Sequence, residues 1–327
     1  MAAEGVVLLA DLDRLAVLGF AEILRHLPDL ARLRREVRRF LVEQDVDLLV
    51  PIDYPGFNLP LARFARRRGV RVLYYIAPQV WAWHESRARK LAEYADLVCV
   101  VLPFEEERLQ RWGVRTRFVG HPLLDREEYA SQQGRPRSDV PVLGIFPGSR
   151  RQEVQRLLPP FLEAGRLLAR EIPNLDIQVA RARDLPPSVY VELGGIRLVE
   201  AEEASRSATA AITKSGTITL QLALDDVPMV VGYQVSPVTY AVARRVVRVD
   251  HISLVNLVAG REVVPEFVQG QATPGALAAA AASLLDRDSP GRREQLAGLL
   301  DVRARLGRPG AAARVAEECV RLLGDGI

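Results

Sequence analysis

The sequence predicts an α/β protein with two Rossmann-like domains that face a cleft. Short β-branched runs alternate with helical patterns along the chain, which is typical of parallel sheets built from βαβ units. A polar stretch at 126–140, which contains Gly134 and Pro136, separates two such sets. The 327 residues are enough for two domains. We therefore expect a first domain at 1–135, a second at 136–308, and a helix at 309–327 that packs back on the first.

Each candidate strand is a short apolar run that a helical pattern follows. In the first domain these runs are Val46–Ile52, Val70–Ile76, Leu97–Leu102 and Thr116–Val119. In the second domain they are Val142–Phe146, Leu175–Ala180, Ala210–Ile212, Pro228–Val231 and, as a further candidate, Ile252–Leu254. Because ligands of open α/β sheets bind beyond the carboxyl ends of the strands, the loops after these runs are where we expect a site.

Composition and charge narrow the functional classes. Apolar residues make up 49% of the chain and charged residues 26%, as in globular proteins. The net charge of +3 does not favour nucleic-acid binding, despite an isoelectric point near 9.0. Cys99 and Cys319 form neither a disulfide framework nor a metal-ligand pair. The sequence shows no signal peptide and no apolar run long enough to span a bilayer, so we expect a cytosolic protein.

A basic amphipathic segment precedes the first candidate strand. One helical face carries Leu33, Val37, Phe40 and Leu41, and the other faces carry Arg32, Arg34, Arg35, Arg38 and Arg39. An apolar segment at 15–27 comes before it. Such a pattern is typical of helices that bind a membrane surface. A solvated helix face over an ordinary core is the alternative interpretation.

The junction after Val142–Phe146 has the residue types of an anion site. The strand leads into Pro147, Gly148 and Ser149, and a helical pattern begins near Arg150. Glycine allows close approach of the backbone, and the N–H groups of a first helical turn favour an anion. The Arg150 guanidinium adds a cation suited to phosphate oxygens. A plain β-to-α turn with Ser149 as helix cap is the alternative, since neither common phosphate fingerprint is present.

Four further strings of residues are distinctive, two of them at predicted strand ends. They are Ile-Asp-Tyr-Pro-Gly-Phe-Asn at 52–58, Tyr-Ile-Ala-Pro-Gln-Val-Trp-Ala-Trp-His at 75–84, Phe-Val-Gly-His-Pro-Leu-Leu-Asp at 118–125 and His-Ile-Ser-Leu-Val-Asn-Leu-Val-Ala-Gly-Arg-Glu at 251–262. With the 147–150 turn and Ser215-Gly216-Thr217, these strings resemble the lipid-A-disaccharide synthase family. The resemblance runs in order over nearly the whole chain.

This resemblance implies an inverting glycosyltransferase of the glycosyltransferase-B fold in the lipid A pathway of Gram-negative bacteria. The donor would be UDP-2,3-diacylglucosamine and the acceptor 2,3-diacylglucosamine 1-phosphate (lipid X). The products would be UDP and the β-1,6-linked lipid A disaccharide 1-phosphate. Members of the family are expected to need no metal or other cofactor, and to work as peripheral proteins on the cytoplasmic face of the inner membrane.

The resemblance also implies catalytic roles. Asp53 falls where the family motif has an essential carboxylate, and it would take the proton from the attacking 6-hydroxyl. A turn-forming role before Tyr-Pro is the alternative for this residue. Arg150 would neutralise the leaving diphosphate. The acceptor and acyl-chain side is assigned to Gln79, Trp81, Trp83 and His121. His121 is also expected to fix a turn near the donor.

The donor site is expected in the second domain. Its residues would be Gly148, Ser149, Arg150, Ser215, Gly216, Thr217, Gln221 and Asn256. Gln221 stands where the family has a ribose-binding glutamate, and it keeps an acceptor oxygen without the charge. Lys214 replaces an expected small residue and could contact phosphate or be solvent-exposed. For Asn256, hydrogen bonding to backbone groups of its own loop is the alternative.

Relatives begin upstream with a strand, a Gly-Glu-Ala-Ser-Gly-Asp turn and a helix, so we expect the opening βα unit to be absent here. Either the start is assigned too late or the chain is truncated. Three other functions compete: a UDP-N-acetylglucosamine 2-epimerase-like enzyme, a catalytically impaired UDP-binding pseudoenzyme, and a structural membrane adaptor. An epimerase should carry more cleft carboxylates and no amphipathic N-terminal segment.

Overall fold

The computed structural model describes residues 5–9, 20–78, 85–126, 129, 140–236, 239–241 and 250–324. They form two compact units, each built on a parallel sheet. One unit comprises Met1–Val119 together with Ala311–Ile327, and the other comprises Gly120–Gly310. Both sheets follow from βαβ repeats, because a parallel neighbour requires a crossover connection.

The first unit carries a four-stranded sheet in the order β1-β2-β3-β4. Its elements are α1 (Phe20–Glu43), β1 (Leu48–Leu49), α2 (Pro55–Arg66), β2 (Arg71–Tyr75), α3 (Glu85–Tyr94), β3 (Leu97–Val100), α4 (Pro103–Gln110) and β4 (Thr116–Phe118). The strand β1 is shorter than the predicted Val46–Ile52. Pro51 has no N–H to give to the ladder, and Ile52 pairs with Tyr75 only as an isolated bridge.

The second unit carries a six-stranded sheet in the order β10-β9-β8-β5-β6-β7. Its elements are β5 (Val142–Phe146), α5 (Arg151–Glu171), β6 (Asp176–Arg181), β7 (Arg197–Glu200), α6 (Ala201–Ser207), β8 (Ala210–Lys214), α7 (Thr217–Leu224), β9 (Met229–Tyr233), α8 (Leu254–Ala259), β10 (Glu266–Val268), α9 (Pro274–Leu285) and α10 (Pro290–Arg305). Short 3₁₀ turns lie at Pro122–Asp125, Pro187–Val189 and Gln269–Gln271.

The topology of the second sheet creates a switch point between β5 and β8. From β5 the chain builds β6 and β7 on one side, and then returns to place β8, β9 and β10 on the other. The connections that follow β5 and β8 therefore diverge to opposite sides. A crevice at the carboxyl ends of two such strands is where open α/β sheets bind ligands.

One predicted strand is wrong, and two strands escape prediction. Ile252–Leu254 is a helix start, because the Ser253 hydroxyl accepts a hydrogen bond from the Asn256 N–H at 3.2 Å and caps α8. The edge strands β7 and β10 are missed. Each has only three or four residues and begins with a charged one, so neither produces an apolar run.

The chain passes from the first unit to the second between Val119 and Gly120, whereas the predicted boundary is at 135. The His121 N–H donates to the Leu306 carbonyl at 2.9 Å, and the Gly310 N–H donates to Asp125 Oδ1 at 2.6 Å. These bonds fasten residues 120–126 to the second unit. The last helix, α11 (Ala311–Gly324), belongs to the first unit. There Arg314 Nε donates to the Val119 carbonyl at 2.7 Å.

The basic face of α1 is divided between packing and solvent. The guanidinium of Arg34 lies over the Phe57 ring and donates to the Gly56 carbonyl at 3.2 Å, and that of Arg38 lies over the Phe64 ring. Arg32, Arg35 and Arg39 are exposed. The predicted apolar segment 15–27 falls outside the residues whose side chains are described. Among the described helices, none has both the length and the apolarity required to cross a bilayer.

Candidate functional site

The turn after β5 is built around Gly148. Its φ of +122° is a conformation that residues with a side chain rarely adopt. A Cβ atom at this position would also lie 2.5 Å from Glu153 Oε2 and 3.2 Å from Lys214 Cδ. Only glycine therefore fits between this turn and the charged side chains beside it. Ser149 and Arg150 follow the glycine and are exposed.

The Glu153 carboxylate occupies the position that an anion would take at the start of α5. It accepts hydrogen bonds from the N–H groups of Ser149 at 3.1 Å and Arg150 at 3.3 Å. It also pairs with the Arg150 guanidinium at 3.4 Å and with Lys214 Nζ at 2.9 Å. The prediction from sequence overlooked Glu153. Its signal is the capping-box position, three residues after the N-cap Arg150.

A second glycine turn follows β8. The Ser215 hydroxyl donates to the Ile252 carbonyl at 2.6 Å, and Gly216 turns the chain with a φ of +152°. Thr217 then begins α7 and is exposed, while Gln221, one helical turn later, is half-buried. Because β5 and β8 pair directly, the two glycine turns lie at the switch point of the sheet.

The next strand along the sheet also reaches this cluster. Tyr233 ends β9, and burial raises the pKa of its hydroxyl above the usual value. The negative charge of Glu153 raises this pKa further, and the positive charge of Arg150 opposes the shift. The carboxyl ends of β5, β8 and β9 thus combine two glycine turns, two cations, a carboxylate and a phenol.

Asn256 is fully buried, and its amide is used within its own loop. Nδ2 donates to the Val264 carbonyl at 2.8 Å and to Glu266 Oε1 at 2.7 Å. Oδ1 accepts from the N–H groups of Val263 at 2.7 Å and Val264 at 2.9 Å. These bonds use both N–H groups and both lone pairs of the amide. In this structure Asn256 supports the loop and has no group left for a donor sugar.

In the first unit, Asp53 lies in a turn of unusual backbone geometry after β1. Asp53 and Tyr54 both have left-handed backbones, with φ of 47° and 43°. The Asp53 carbonyl accepts hydrogen bonds from Asn58 Nδ2 and the Tyr74 hydroxyl, each at 2.7 Å, and its N–H donates to the Tyr75 carbonyl at 2.9 Å. The exposed carboxylate has no hydrogen-bond partner among the described residues. Sequence reasoning missed Asn58 and Tyr74, although Asn58 closes the 52–58 string.

Of the residues predicted for the acceptor side, only His121 lies within the described part of the chain. His121 is buried, and its Nδ1 accepts from the Leu123 N–H at 3.2 Å as the cap of a 3₁₀ turn. Burial lowers the pKa of this imidazole to about 4. Gln79, Trp81 and Trp83 lie outside the described residues. Across the part of the chain that is described, no group of three or more potential metal-ligating side chains occurs.

Comparison with known proteins gives a consistent result. The family model described as lipid-A-disaccharide synthetase matches residues 1–309. A lipid-A-disaccharide synthase from Geobacter metallireducens is 40% identical over 337 residues, covering 99% of this chain and 88% of that protein. These matches extend over both units and include all the strings singled out above.

Two solved structures are similar in fold. A putative UDP-N-acetylglucosamine 2-epimerase from Listeria monocytogenes aligns with a TM-score of 0.64 at 12% identity, covering 91% of this chain and 80% of that one. The glycosyltransferase of kitacinnamycin aligns with a TM-score of 0.60 at 17% identity, with 91% and 82% covered. At these identities the likeness concerns the fold alone. The predicted α/β class with two Rossmann-like sheets is confirmed.

Proposed function

Because the chain belongs to the lipid-A-disaccharide synthase family, it is a glycosyltransferase of lipid A disaccharide synthesis, and we propose that it joins UDP-2,3-diacylglucosamine to 2,3-diacylglucosamine 1-phosphate. The 6-hydroxyl oxygen of the acceptor attacks the anomeric carbon of the donor. The bond from that carbon to the diphosphate oxygen breaks, and its electron pair leaves with UDP. The hydroxyl proton passes to a base on the enzyme.

Asp53 is the proposed base. Three hydrogen bonds hold its backbone in place, while its carboxylate has no partner among the described residues. A base must be positioned before the acceptor arrives and must have a free oxygen to receive the proton. Asn58 and Tyr74 are then positioning residues, since the hydrogen bonds that they donate to Asp53 go to its backbone carbonyl and not to its carboxylate.

The diphosphate is proposed to bind at the two glycine turns of the second unit. The observation that carries this proposal is the placement of Gly148 and Gly216 at the β5–β8 switch point, beside Arg150 and Lys214. Backbone N–H groups of Ser149 and Arg150 already hold a carboxylate there. A phosphate oxygen has the same requirements as that carboxylate oxygen.

The direct test is synthesis from the two lipid substrates in mixed micelles. We expect one UDP released for each disaccharide 1-phosphate, with both products identified by mass spectrometry. UDP-N-acetylglucosamine supplied alone should be recovered unchanged. Recovery of a 2-epimer would support the epimerase instead. Binding of UDP without disaccharide formation would identify a pseudoenzyme, and either outcome would refute the proposal.

The site of action is proposed to be the cytoplasmic face of the inner membrane, where acylated substrates reside. Supporting this, the side chains of Val6–Leu9 are 47–79% exposed, and Arg32, Arg35 and Arg39 project from α1 into solvent. Apolar and cationic groups together favour an anionic lipid surface.

Replacing Arg32, Arg35 and Arg39 by glutamine should weaken binding to anionic vesicles on the order of 100-fold at low salt, at roughly 1 kcal/mol per basic residue. Sedimentation with vesicles measures this loss. The matched control removes the exposed Arg156, Arg170 and Arg293 of the second unit and should bind as the wild type does. Equal binding of the wild type to neutral and anionic vesicles would contradict the electrostatic part of the proposal.

A further inference from the structure

Lys214 ends β8 with its side chain between the two glycine turns. A Cβ atom on Gly148 would lie 3.2 Å from Lys214 Cδ, and one on Gly216 would lie 3.6 Å from both Cε and Nζ. The side chain is 17% exposed, and its ammonium is 2.9 Å from Glu153 Oε1. The lysine stem therefore packs along both turns and delivers its charge to the anion position at the start of α5.

The choice of lysine at this position is unusual for this chain. Of 44 lysine and arginine residues, only Lys90 and Lys214 are lysines. Lys90 is exposed on α3, whereas Lys214 is largely enclosed. An ammonium is a compact point charge, and a guanidinium is a wide planar fork. Where two backbone turns approach this closely, the compact cation is the one that fits.

The donors around Glu153 are those that a diphosphate needs. Its carboxylate collects the Ser149 N–H, the Arg150 N–H and the Lys214 ammonium on two oxygens. A nucleoside diphosphate carries more negative charge than one carboxylate, so the same donors attract it more strongly. The Glu153 carboxylate and a diphosphate cannot both occupy these donors, because two negative charges in contact repel each other.

We propose that Lys214 is a diphosphate-binding residue of this enzyme, and that Glu153 holds it in place until the diphosphate of the donor displaces the carboxylate. This inference rests on the proposed donor site in the second unit. It adds to that site a cation beyond Arg150, and it gives Glu153 the role of an internal competitor with the ligand.

The first experiment compares the affinities of UDP and uridine for single variants by calorimetry. Lys214→Ala should weaken UDP binding roughly 10- to 100-fold, the usual range for a charge-assisted contact, and leave uridine binding unchanged. Lys214→Arg should restore only part of the loss. Lys90→Ala is the matched control and should bind UDP as the wild type does.

Glu153→Gln tests the competition directly. Glutamine keeps the capping interaction at the start of α5 but removes the competing charge. We expect UDP to bind several-fold more tightly to this variant, and the effect to be lost when Lys214→Ala is added. Additive effects of the two substitutions would contradict a shared role.

Chemical labelling of the wild-type protein gives a readout that does not depend on the folding of any variant. Reductive methylation followed by peptide mass spectrometry reports the reactivity of both lysines in one sample. UDP should protect Lys214 and not Lys90, and uridine should protect neither. If UDP binds the wild type but protects neither lysine, and Lys214→Ala binds it within twofold of the wild type, the inference is overturned. If the wild type binds no UDP, the proposed donor site itself fails.

Discussion

After β1 the chain turns through Asp53 and Tyr54, two consecutive non-glycine residues whose backbones are left-handed. After β5 and β8 it turns at glycines instead, Gly148 and Gly216. Left-handed backbones on residues other than glycine cost on the order of 1–3 kcal/mol each. In the first turn this cost is offset by hydrogen bonds to the Asp53 backbone from Asn58 and Tyr74. The glycine turns need no such support.

The difference shows two ways of preparing a site. The first turn fixes the backbone of one carboxylate and leaves its oxygens without partners among the described residues. At the Gly148 turn, the backbone N–H groups of Ser149 and Arg150 are already satisfied by Glu153, as is the Lys214 ammonium. A ligand at the Asp53 turn meets a carboxylate that has no partner among the described residues. A ligand at the Gly148 turn must instead displace Glu153 from the groups that would bind it. Preorganisation favours catalysis, and partner exchange favours reversible binding of a charged product.

The largest effect should come from Asp53→Asn. The substitution keeps side-chain volume and the left-handed backbone that asparagine tolerates, but it removes the base. Disaccharide formation should fall about 10²–10⁴-fold, while UDP binding to the second unit stays unchanged. Initial rates and calorimetry on the same preparation separate the two readouts.

Asp45→Asn is the matched control for that substitution. Asp45 is exposed, precedes β1, and also has a left-handed backbone, with a φ of 43°. Its replacement should leave activity within about twofold of the wild type, as for other surface positions. If Asp53→Asn behaved in the same way as this control, Asp53 would be a turn residue and the base would have to lie elsewhere.

The stability of the second unit should depend on the side chain of Asn256. Asn256→Ala removes four hydrogen bonds, two of them fully buried, and takes a partner from Glu266 and from the Val263 and Val264 backbones. This loss should cost about 4 kcal/mol of unfolding free energy. Urea denaturation of the purified variant measures the loss. Asn174→Gly, at an exposed turn, should cost less than about 1 kcal/mol. A small loss at Asn256 would suggest that the amide faces a ligand instead.

A pH dependence distinguishes the two units further. His121 has a folded pKa of about 4 against 6.5 in an unfolded chain, because burial disfavours its charged form. The contribution of neutral His121 to the free energy of unfolding is complete above pH 6.5. It is lost as the pH falls towards 4, because the imidazole of the unfolded chain takes up a proton before that of the folded protein. The loss amounts to about 3 kcal/mol.

His121→Asn should remove that part of the pH dependence. Asparagine keeps a capping acceptor for the Leu123 N–H but does not titrate. Amide hydrogen exchange of β5 and β8 at pH 7 and pH 4.5 reports the stability of the second unit itself. Identical pH dependence in the variant and the wild type would mean that other groups control acid stability.

How much the sequence predicts depends on what each residue contacts. The run Val142–Phe146 predicts β5 to the residue, because buried parallel strands appear as continuous apolar runs. The edge strands β7 and β10 have no such signal. The glycine turns are recognisable, because they are local features of the chain.

Two of the contacts that support these turns are not local in this sense. Tyr74 supports Asp53 across 21 residues, and Lys214 meets Glu153 across 61. Nothing in a one-dimensional pattern specifies such pairs. Asn256 shows the converse limit, since a family position indicates a buried amide but not which groups the amide faces. The sequence therefore predicts where the turns are better than it predicts what holds them.

The smallest expected effect is at Arg150, and it tests whether the glycine turn binds through its side chains or through its backbone. The guanidinium is 67% exposed and pairs with Glu153 at 3.4 Å. Because of this exposure, solvent screens the attraction between its charge and a diphosphate. Arg150→Ala should weaken UDP binding up to about tenfold and slow turnover by a similar factor, because the cation acts on the diphosphate both before and during bond cleavage. Arg151→Ala, the adjacent exposed residue, should change neither quantity. Unchanged UDP affinity in Arg150→Ala would mean that the arginine only begins α5, and that the backbone N–H groups and Lys214 hold the diphosphate without it.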